Sequence, residues 1–196
     1  MAAYEIAQVL GMDCVPPTRY EEFEGALGTA QQFVDGTLGA EWTARYGSQT
    51  ALDILPRATE DVVVLDFIID NYDRHTANWI VGEDRVWAID NGGANWTSNE
   101  GNESNELYWN TLVNYWLARK PGKLRISPEK LERWSRITKE EFLGAFRDVP
   151  EFGETKVNPE NAWSNFQSIT KSGLVAWRGW DGPSALSLPA VSEAPA

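Results

Sequence analysis

Three polar side chains that could act on a phosphate group fall within one short segment, residues 62–93. Asp73, Asn78 and Asp90 carry carboxylate or amide oxygens, and the only histidine of the chain, His75, lies among them. Hard oxygen ligands of this kind suit Mg²⁺, which usually combines one or two protein carboxylates with substrate phosphates. The segment therefore predicts a site for Mg²⁺ and a phosphate-bearing substrate.

A helix is predicted to lead into this site. Apolar residues recur at helical spacing over residues 62–72, and Thr59 followed by two acidic residues marks a favourable helix start. Asp66 and Asp70 lie four residues apart on this helix, and solvated or capping roles are the expectation for both, ahead of a paired-carboxylate site. Residues 71–77 are polar and predict a loop that carries Asp73.

A β-hairpin is predicted to follow the loop. Two strand-like runs, at 78–81 and 85–90, flank the turn signal Gly82-Glu83-Asp84. A hairpin centred on Asp84 places Asn78 opposite Asp90, with the Cβ atoms of such a pair roughly 5 Å apart. Both oxygen-bearing side chains would then meet at the open end of the hairpin, beside Asp73.

The order of an aspartate, an asparagine five residues later and a second aspartate at a strand end is the arrangement that kinases use for phosphoryl transfer. The stretches D-R-H-T-A-N-W at 73–79 and A-I-D-N-G at 88–92 resemble the phosphatidylinositol 3-/4-kinase-like group. They look closest to type II phosphatidylinositol 4-kinases and the bacterial proteins related to them, and HipA-like kinases share a similar D-x-H-x-x-N layout. Residues 2–18 and 28–34 resemble the αC-type helix and the hinge strand of that group, so the resemblance covers roughly residues 2–93.

This resemblance, together with the order of the predicted elements, implies an α+β protein of protein-kinase-like fold. A partial N-lobe and hinge would occupy residues 1–50, and a mostly helical C-lobe residues 51–180. Residues 181–196 are rich in Pro, Ser and Ala and predict a disordered tail.

The resemblance also implies a role for each site residue, with ATP and Mg²⁺ as cofactors. Asp73 would be the catalytic residue that accepts or orients the acceptor hydroxyl, while Asn78 and Asp90 hold the metal. Arg74 and His75 would order the catalytic loop. Residues of the hinge would contact the adenine, namely Gln31, Phe33 and Val34.

One departure from the family pattern leaves the activity open. Members of this group carry a glycine-containing phosphate loop and a strand lysine before the helix that opens this chain, yet no lysine precedes Lys120 here. The prediction is an ATP- and Mg²⁺-dependent phosphotransferase with a hydroxyl acceptor on protein or lipid, incomplete without upstream residues or a partner chain. The alternative is a non-catalytic pseudokinase remnant that serves as a nucleotide-binding or interaction module. A carbohydrate-binding module is suggested only by the ten tryptophans.

Composition narrows the possible partners. A net charge of −12 argues against nucleic acid, because phosphate binding needs Lys and Arg. The single cysteine, Cys14, excludes an intramolecular disulfide and fits a reducing compartment. The sequence shows neither a signal-peptide pattern nor an apolar run of transmembrane length, so a cytoplasmic protein is expected.

Local signals predict the remaining elements. The first is a helix over residues 2–10, stopped by Gly11, whose apolar residues Ile6, Val9 and Leu10 are expected to collapse onto a hairpin at 19–34 or to recruit a second chain. That hairpin would turn at Glu24-Gly25. Further helices are predicted over 107–118, over 127–137 with Ser127 as the N-cap, from Thr138 with a capping box, and over 158–177 with a break near Gly173.

Overall fold

Groups of helices and groups of short antiparallel strands follow one another along the described chain, which places the fold in the α+β class. The computed structural model describes residues 1–47, 54–55, 59–71, 73–92, 124–147 and 157–175. The predicted helix over 107–118 and the predicted tail over 181–196 lie outside these ranges.

The described helices and strands have the following bounds. The helices are α1 (Ala2–Leu10), α2 (Gly39–Tyr46), α3 (Thr59–Ile68), α4 (Pro128–Trp134), α5 (Lys139–Gly144) and α6 (Pro159–Ser172). The strands are β1 (Thr18–Phe23), β2 (Ala26–Gln31), β3 (Thr37–Leu38), β4 (Trp79–Val81), β5 (Val86–Ala88), β6 (Leu124–Arg125) and β7 (Leu174–Val175). They form three antiparallel sheets, ordered β1-β2, β3-β4-β5 and β6-β7. Within the described ranges, no helix combines the length and the apolar character that crossing a membrane requires.

Helix α3 is the centre of the core. Every residue from 62 to 69 is buried, including the charged Asp66. Such a helix needs neighbours on all sides. Helices α1 and α6 and strand β5 each pack against it.

Aromatic side chains fill the core between α4, α5 and α6. The rings of Phe142 and Phe166 stack with centroids 5.1 Å apart, and Trp163 and Trp134 lie at 5.6 and 6.1 Å from Phe166. Trp134 is fully buried, and its indole N–H donates to the carbonyl of Leu10 at 3.0 Å. This bond ties α4 to the end of α1.

Helix α1 forms where it was predicted, and Gly11 ends it in the left-handed conformation. The expected fate of its apolar face is wrong, however. Ile6 and Leu10 are fully buried within the same chain, and the main neighbours of α1 are α3 and α5. The two side chains therefore present no exposed apolar patch.

The predicted caps of the later helices are confirmed. Ser127 accepts a hydrogen bond from the Lys130 N–H at 3.3 Å, and Thr138 and Glu141 form a complete capping box. Helix α4 ends at Trp134, three residues before the predicted position. Helix α6 ends at Ser172, with Gly173, the predicted break, as its C-cap, and β7 follows it within the described residues.

Strands β1 and β2 form an exposed hairpin. Phe23 pairs with Ala26, so the two-residue turn is Glu24-Gly25, as predicted, and both turn residues have positive φ. Strand β2 ends at Gln31, three residues short of the predicted end, although the Gln32 N–H still donates to Pro17. Most side chains of the hairpin face solvent.

Candidate functional site

The end of α3 turns the chain into the candidate site. The helix stops at Ile68 and not at residue 72, because Asp70 adopts a left-handed φ of 51°. The Asn71 N–H then donates to the carbonyl of Asp66 at 2.8 Å, which is the Schellman closure of a helix end. Asn165 of α6 donates to the last helical carbonyls, those of Phe67 and Ile68, and to the Asp70 carboxylate. The expectation that Asp70 lies within the helix is therefore wrong.

The hairpin of β4 and β5 is one residue out of the predicted register. Val81 pairs with Val86, so the loop holds four residues, 82–85, and the Gly82 N–H closes it on the carbonyl of Arg85 at 2.9 Å. Centring the hairpin on Asp84 would pair Val81 with Trp87, so each residue of β4 lies opposite a residue one position earlier than predicted. Since side chains alternate between faces, such a shift changes which residues lie opposite each other.

Asn78 consequently lies opposite Ile89 and not opposite Asp90. The Ile89 N–H donates to the carbonyl of Asn78 at 3.1 Å, and Asp90 follows one residue later, exposed and with a φ of 47°. Asp90 still lies at the open end of the hairpin, next to the pair formed by Asn78 and Ile89.

Asp73 and Asn78 are in direct contact. The Asn78 amide nitrogen donates to the Asp73 carbonyl at 2.7 Å and lies 3.5 Å from a carboxylate oxygen of Asp73. Asn78 is 4% exposed, whereas the Asp73 side chain is 36% exposed. Because its nitrogen is occupied, Asn78 keeps Oδ1 for a further partner, and no described residue donates to that oxygen.

His75 shapes the loop through short local contacts. Its Nδ1 accepts the Ala77 N–H at 3.2 Å, its carbonyl accepts the Asn78 N–H at 3.0 Å, and its Nε2 lies 3.7 Å from the Asp73 carboxylate. Its side chain is 41% exposed. These contacts order the turn from 73 to 78.

The buried side chain of Arg74 makes the contacts that hold this loop in place. Its guanidinium forms a bidentate pair with Asp66 at 2.9 and 3.1 Å, and both side chains are fully buried. Nη1 donates to the carbonyls of Asn78, at 2.6 Å, and of Ile89, and Nη2 donates to the Asn91 side chain. These five bonds match the five N–H donors of an arginine side chain.

Asp66 was expected to be solvated or capping, and that expectation is wrong. Its carboxylate accepts two bonds from Arg74 and one from Asn71 at 2.9 Å. Sequence reasoning did not assign this role because the partners come from the following loop. One signal was present, however: Asp66 interrupts the apolar run V-V-V-L-D-F-I-I, and a charge inside a buried helix needs a partner.

The oxygen atoms of the site suit a hard cation. Asp73 and Asp90 supply carboxylates that solvent can reach, and Asn78 supplies an amide oxygen at the same end of the hairpin. This donor set fits Mg²⁺, which retains water and shares its coordination with substrate phosphates. In the part of the chain that the structure describes, no group of three His, Cys, Asp or Glu side chains forms a metal cage.

The three predicted hinge residues lie around the end of β2, well before this loop in the sequence. Gln31 donates to the Thr18 hydroxyl at 3.1 Å, Phe33 is 84% exposed and Val34 is half-buried. Their contact with adenine stays a prediction.

Cys14 is buried beside strand β5, and its thiol is not a candidate nucleophile. The backbone carbonyl of Cys14 accepts the Ala88 N–H at 2.7 Å, and the side chain is buried. Burial raises the pKa of the Cys14 thiol, and the charges of Asp61 and Asp66 raise that pKa further. The thiol therefore stays protonated near neutral pH.

Comparison of the chain with protein-family models and with curated proteins gives no match. The candidate function therefore depends on the residues and their geometry.

Proposed function

We propose that this chain is an ATP- and Mg²⁺-dependent phosphotransferase of protein-kinase-like fold that acts on a hydroxyl group of a protein or lipid. The observation that carries the proposal is the contact of Asp73 with Asn78 at the open end of a hairpin whose second strand leads into Asp90. The resemblance of residues 73–79 and 88–92 to the phosphatidylinositol 3-/4-kinase-like group supports the same assignment.

Each side chain has a distinct part in the proposed reaction. Asn78 Oδ1 and the Asp90 carboxylate would hold the cation, whose charge would offset that of the ATP phosphates. The Asp73 carboxylate orients the acceptor hydroxyl and takes its proton as the acceptor oxygen bonds to the γ-phosphorus. The bond from the γ-phosphorus to the bridging oxygen breaks at the same time, and ADP leaves.

The proposed enzyme needs a further cationic group over the phosphates. No lysine precedes Lys120, and Arg74 cannot fill the role, because its five N–H donors already bind protein acceptors. We propose that upstream residues or a partner chain supply this group. The lack of a lysine before Lys120 also favours a second candidate, a non-catalytic module that binds nucleotide weakly.

Phosphate transfer separates the two candidates. ATP turnover is measured for the chain alone, for a form extended by the upstream reading frame, and for Asp73→Asn in whichever form is active. We expect Asp73→Asn to keep its affinity for Mg-ATP and to lose about 10²- to 10⁴-fold in rate, the usual contribution of a general base.

Two outcomes would contradict the proposal. A rate that falls less than a few-fold in Asp73→Asn would exclude Asp73 as the base. Mg-ATP binding without transfer in every form would favour the non-catalytic module.

A further inference from the structure

We propose that Asp66 and Arg74 form a positioning pair that fixes the loop carrying Asn78 relative to the strand end carrying Asp90. This inference rests on the proposed function, because it concerns the same cation site. Neither residue could position these segments if it were exposed on the surface.

Arg74 bridges the two segments that carry the candidate metal ligands. One nitrogen, Nη1, donates to the carbonyl of Asn78 on one side of the hairpin and to that of Ile89 on the other. The second terminal nitrogen reaches the side chain of Asn91. Each acceptor is a candidate metal ligand or the neighbour of one, so a single planar group sets the separation of both ligand segments.

The guanidinium of Arg74 is anchored by the carboxylate of Asp66. Asp66, fully buried on α3, accepts hydrogen bonds from Arg74. Asn71, just after the end of the helix, donates to the same carboxylate. Asn71 also accepts the Asp73 N–H at 3.1 Å. Hydrogen bonds therefore connect the proposed base Asp73 and both ligand segments to the carboxylate of Asp66.

The buried pair contributes orientation rather than net stability. A buried ion pair can often be replaced by apolar residues without loss of stability, because removing two charges from water is costly. The fixed fork of the guanidinium instead imposes direction on five acceptors at once. Residues that orient metal ligands in this way typically change metal affinity by about 10- to 100-fold when replaced.

The test replaces the pair rather than breaking it. In the double variant Asp66→Leu/Arg74→Met no charge is left unpaired, and Arg74→Lys keeps the charge but loses the fork. Arg85→Met is the matched control: Arg85 lies at the closed end of the same hairpin, where it pairs with Asp13 and Asp84. Mg-ATP affinity is measured by calorimetry and amide hydrogen exchange by NMR.

The expected result is a folded double variant whose Mg-ATP affinity falls about 10- to 100-fold. Exchange of the Ile89 amide should accelerate roughly three- to tenfold, while that of the Gly82 amide, at the closed end, stays unchanged. Arg74→Lys should show the same changes to a smaller extent and takes the place of the double variant if that does not fold. Arg85→Met should match the parent in both measurements.

The two readouts separate this inference from the proposed function. If the parent does not bind Mg-ATP, the proposed function fails, and hydrogen exchange alone decides whether the pair positions the two segments. If Ile89 exchange and Mg-ATP affinity are unchanged in both the double variant and Arg74→Lys, the positioning role is wrong.

Discussion

The Asp66–Arg74 cluster and the β1–β2 hairpin each contain an arginine paired with a carboxylate, yet their environments are opposite. In the cluster both side chains are fully buried and bound to a network of loop carbonyls and amides. In the hairpin the side chains of Arg19 and Glu21 are 77% and 51% exposed. The same chemical pair therefore holds a loop in one region and lies in solvent in the other.

The apolar side chains of the two regions differ in the same way. Helix α1 buries Ile6 completely beside α3, whereas the hairpin exposes Phe23 by 74% and Leu27 by 44%. An isolated two-stranded hairpin is marginally stable in water. The comparison indicates that the helical core and its loop carry the stability of the chain, while the hairpin contributes surface.

The first prediction compares the two arginines and has the largest expected effect. Arg74→Ala leaves the Asp66 charge buried without its partner, which should lower the free energy of unfolding by about 3–5 kcal/mol. Arg19→Ala removes only an exposed pair, worth about 0–1 kcal/mol. Urea unfolding of both variants measures the difference. Equal losses would break the comparison.

The second prediction compares two aliphatic side chains. Ile6→Ala should cost about 2–5 kcal/mol, since it opens a cavity against α3 and α5. Leu27→Ala, in the hairpin, should stay within about 0.5 kcal/mol of the parent. A negligible loss in Ile6→Ala, together with self-association of the parent in sedimentation, would restore the expectation that this face of α1 recruits a second chain.

The third prediction concerns the exposed contact between Thr138 and Glu141, which lowers a pKa despite its exposure. The backbone and hydroxyl of Thr138 both donate to Glu141 and lower the pKa of that carboxyl. A lowered pKa in the folded state adds stability above the unfolded pKa, and this stability is lost as the pH falls through the folded value. NMR titration should show the Glu141 pKa rising towards its ordinary value in Thr138→Ala and staying low in Thr138→Ser. An unchanged pKa in Thr138→Ala would mean that the hydroxyl bond contributes nothing.

The sequence predicts best the features that depend on neighbouring residues. Ser127, Thr138 with Glu141, Gly11 and the turn at Glu24-Gly25 all carry out their predicted local roles, because a cap or a two-residue turn is decided within four residues. Features that depend on distant contacts were predicted poorly. The end of α3 also receives hydrogen bonds from Asn165, almost a hundred positions along the chain, and the buried Asp66 pairs with Arg74 from the following loop.

The candidate site contains one feature that was predicted well and one that was not. The residues Asp73, Asn78 and Asp90 could be chosen from type and spacing, and Asp73 does contact Asn78. The register of the hairpin could not be fixed from the sequence, because the same glycine and acidic turn signals suit a hairpin centred on Asp84 and one centred between Glu83 and Asp84. This difference of one residue in the pairing places Ile89, and not Asp90, opposite Asn78.

The central claim is that the open end of the β4–β5 hairpin binds Mg²⁺ together with ATP. It is tested most directly by calorimetric titration of Mg-ATP into the parent, Asn78→Ala and Asp90→Ala. Asp84→Ala is the matched control, because this exposed acid lies at the closed end of the same hairpin. The account predicts Mg²⁺-dependent binding by the parent and by Asp84→Ala, and weaker binding by the other two variants with the fold intact. Parent binding that is unchanged in Asn78→Ala and Asp90→Ala would contradict it.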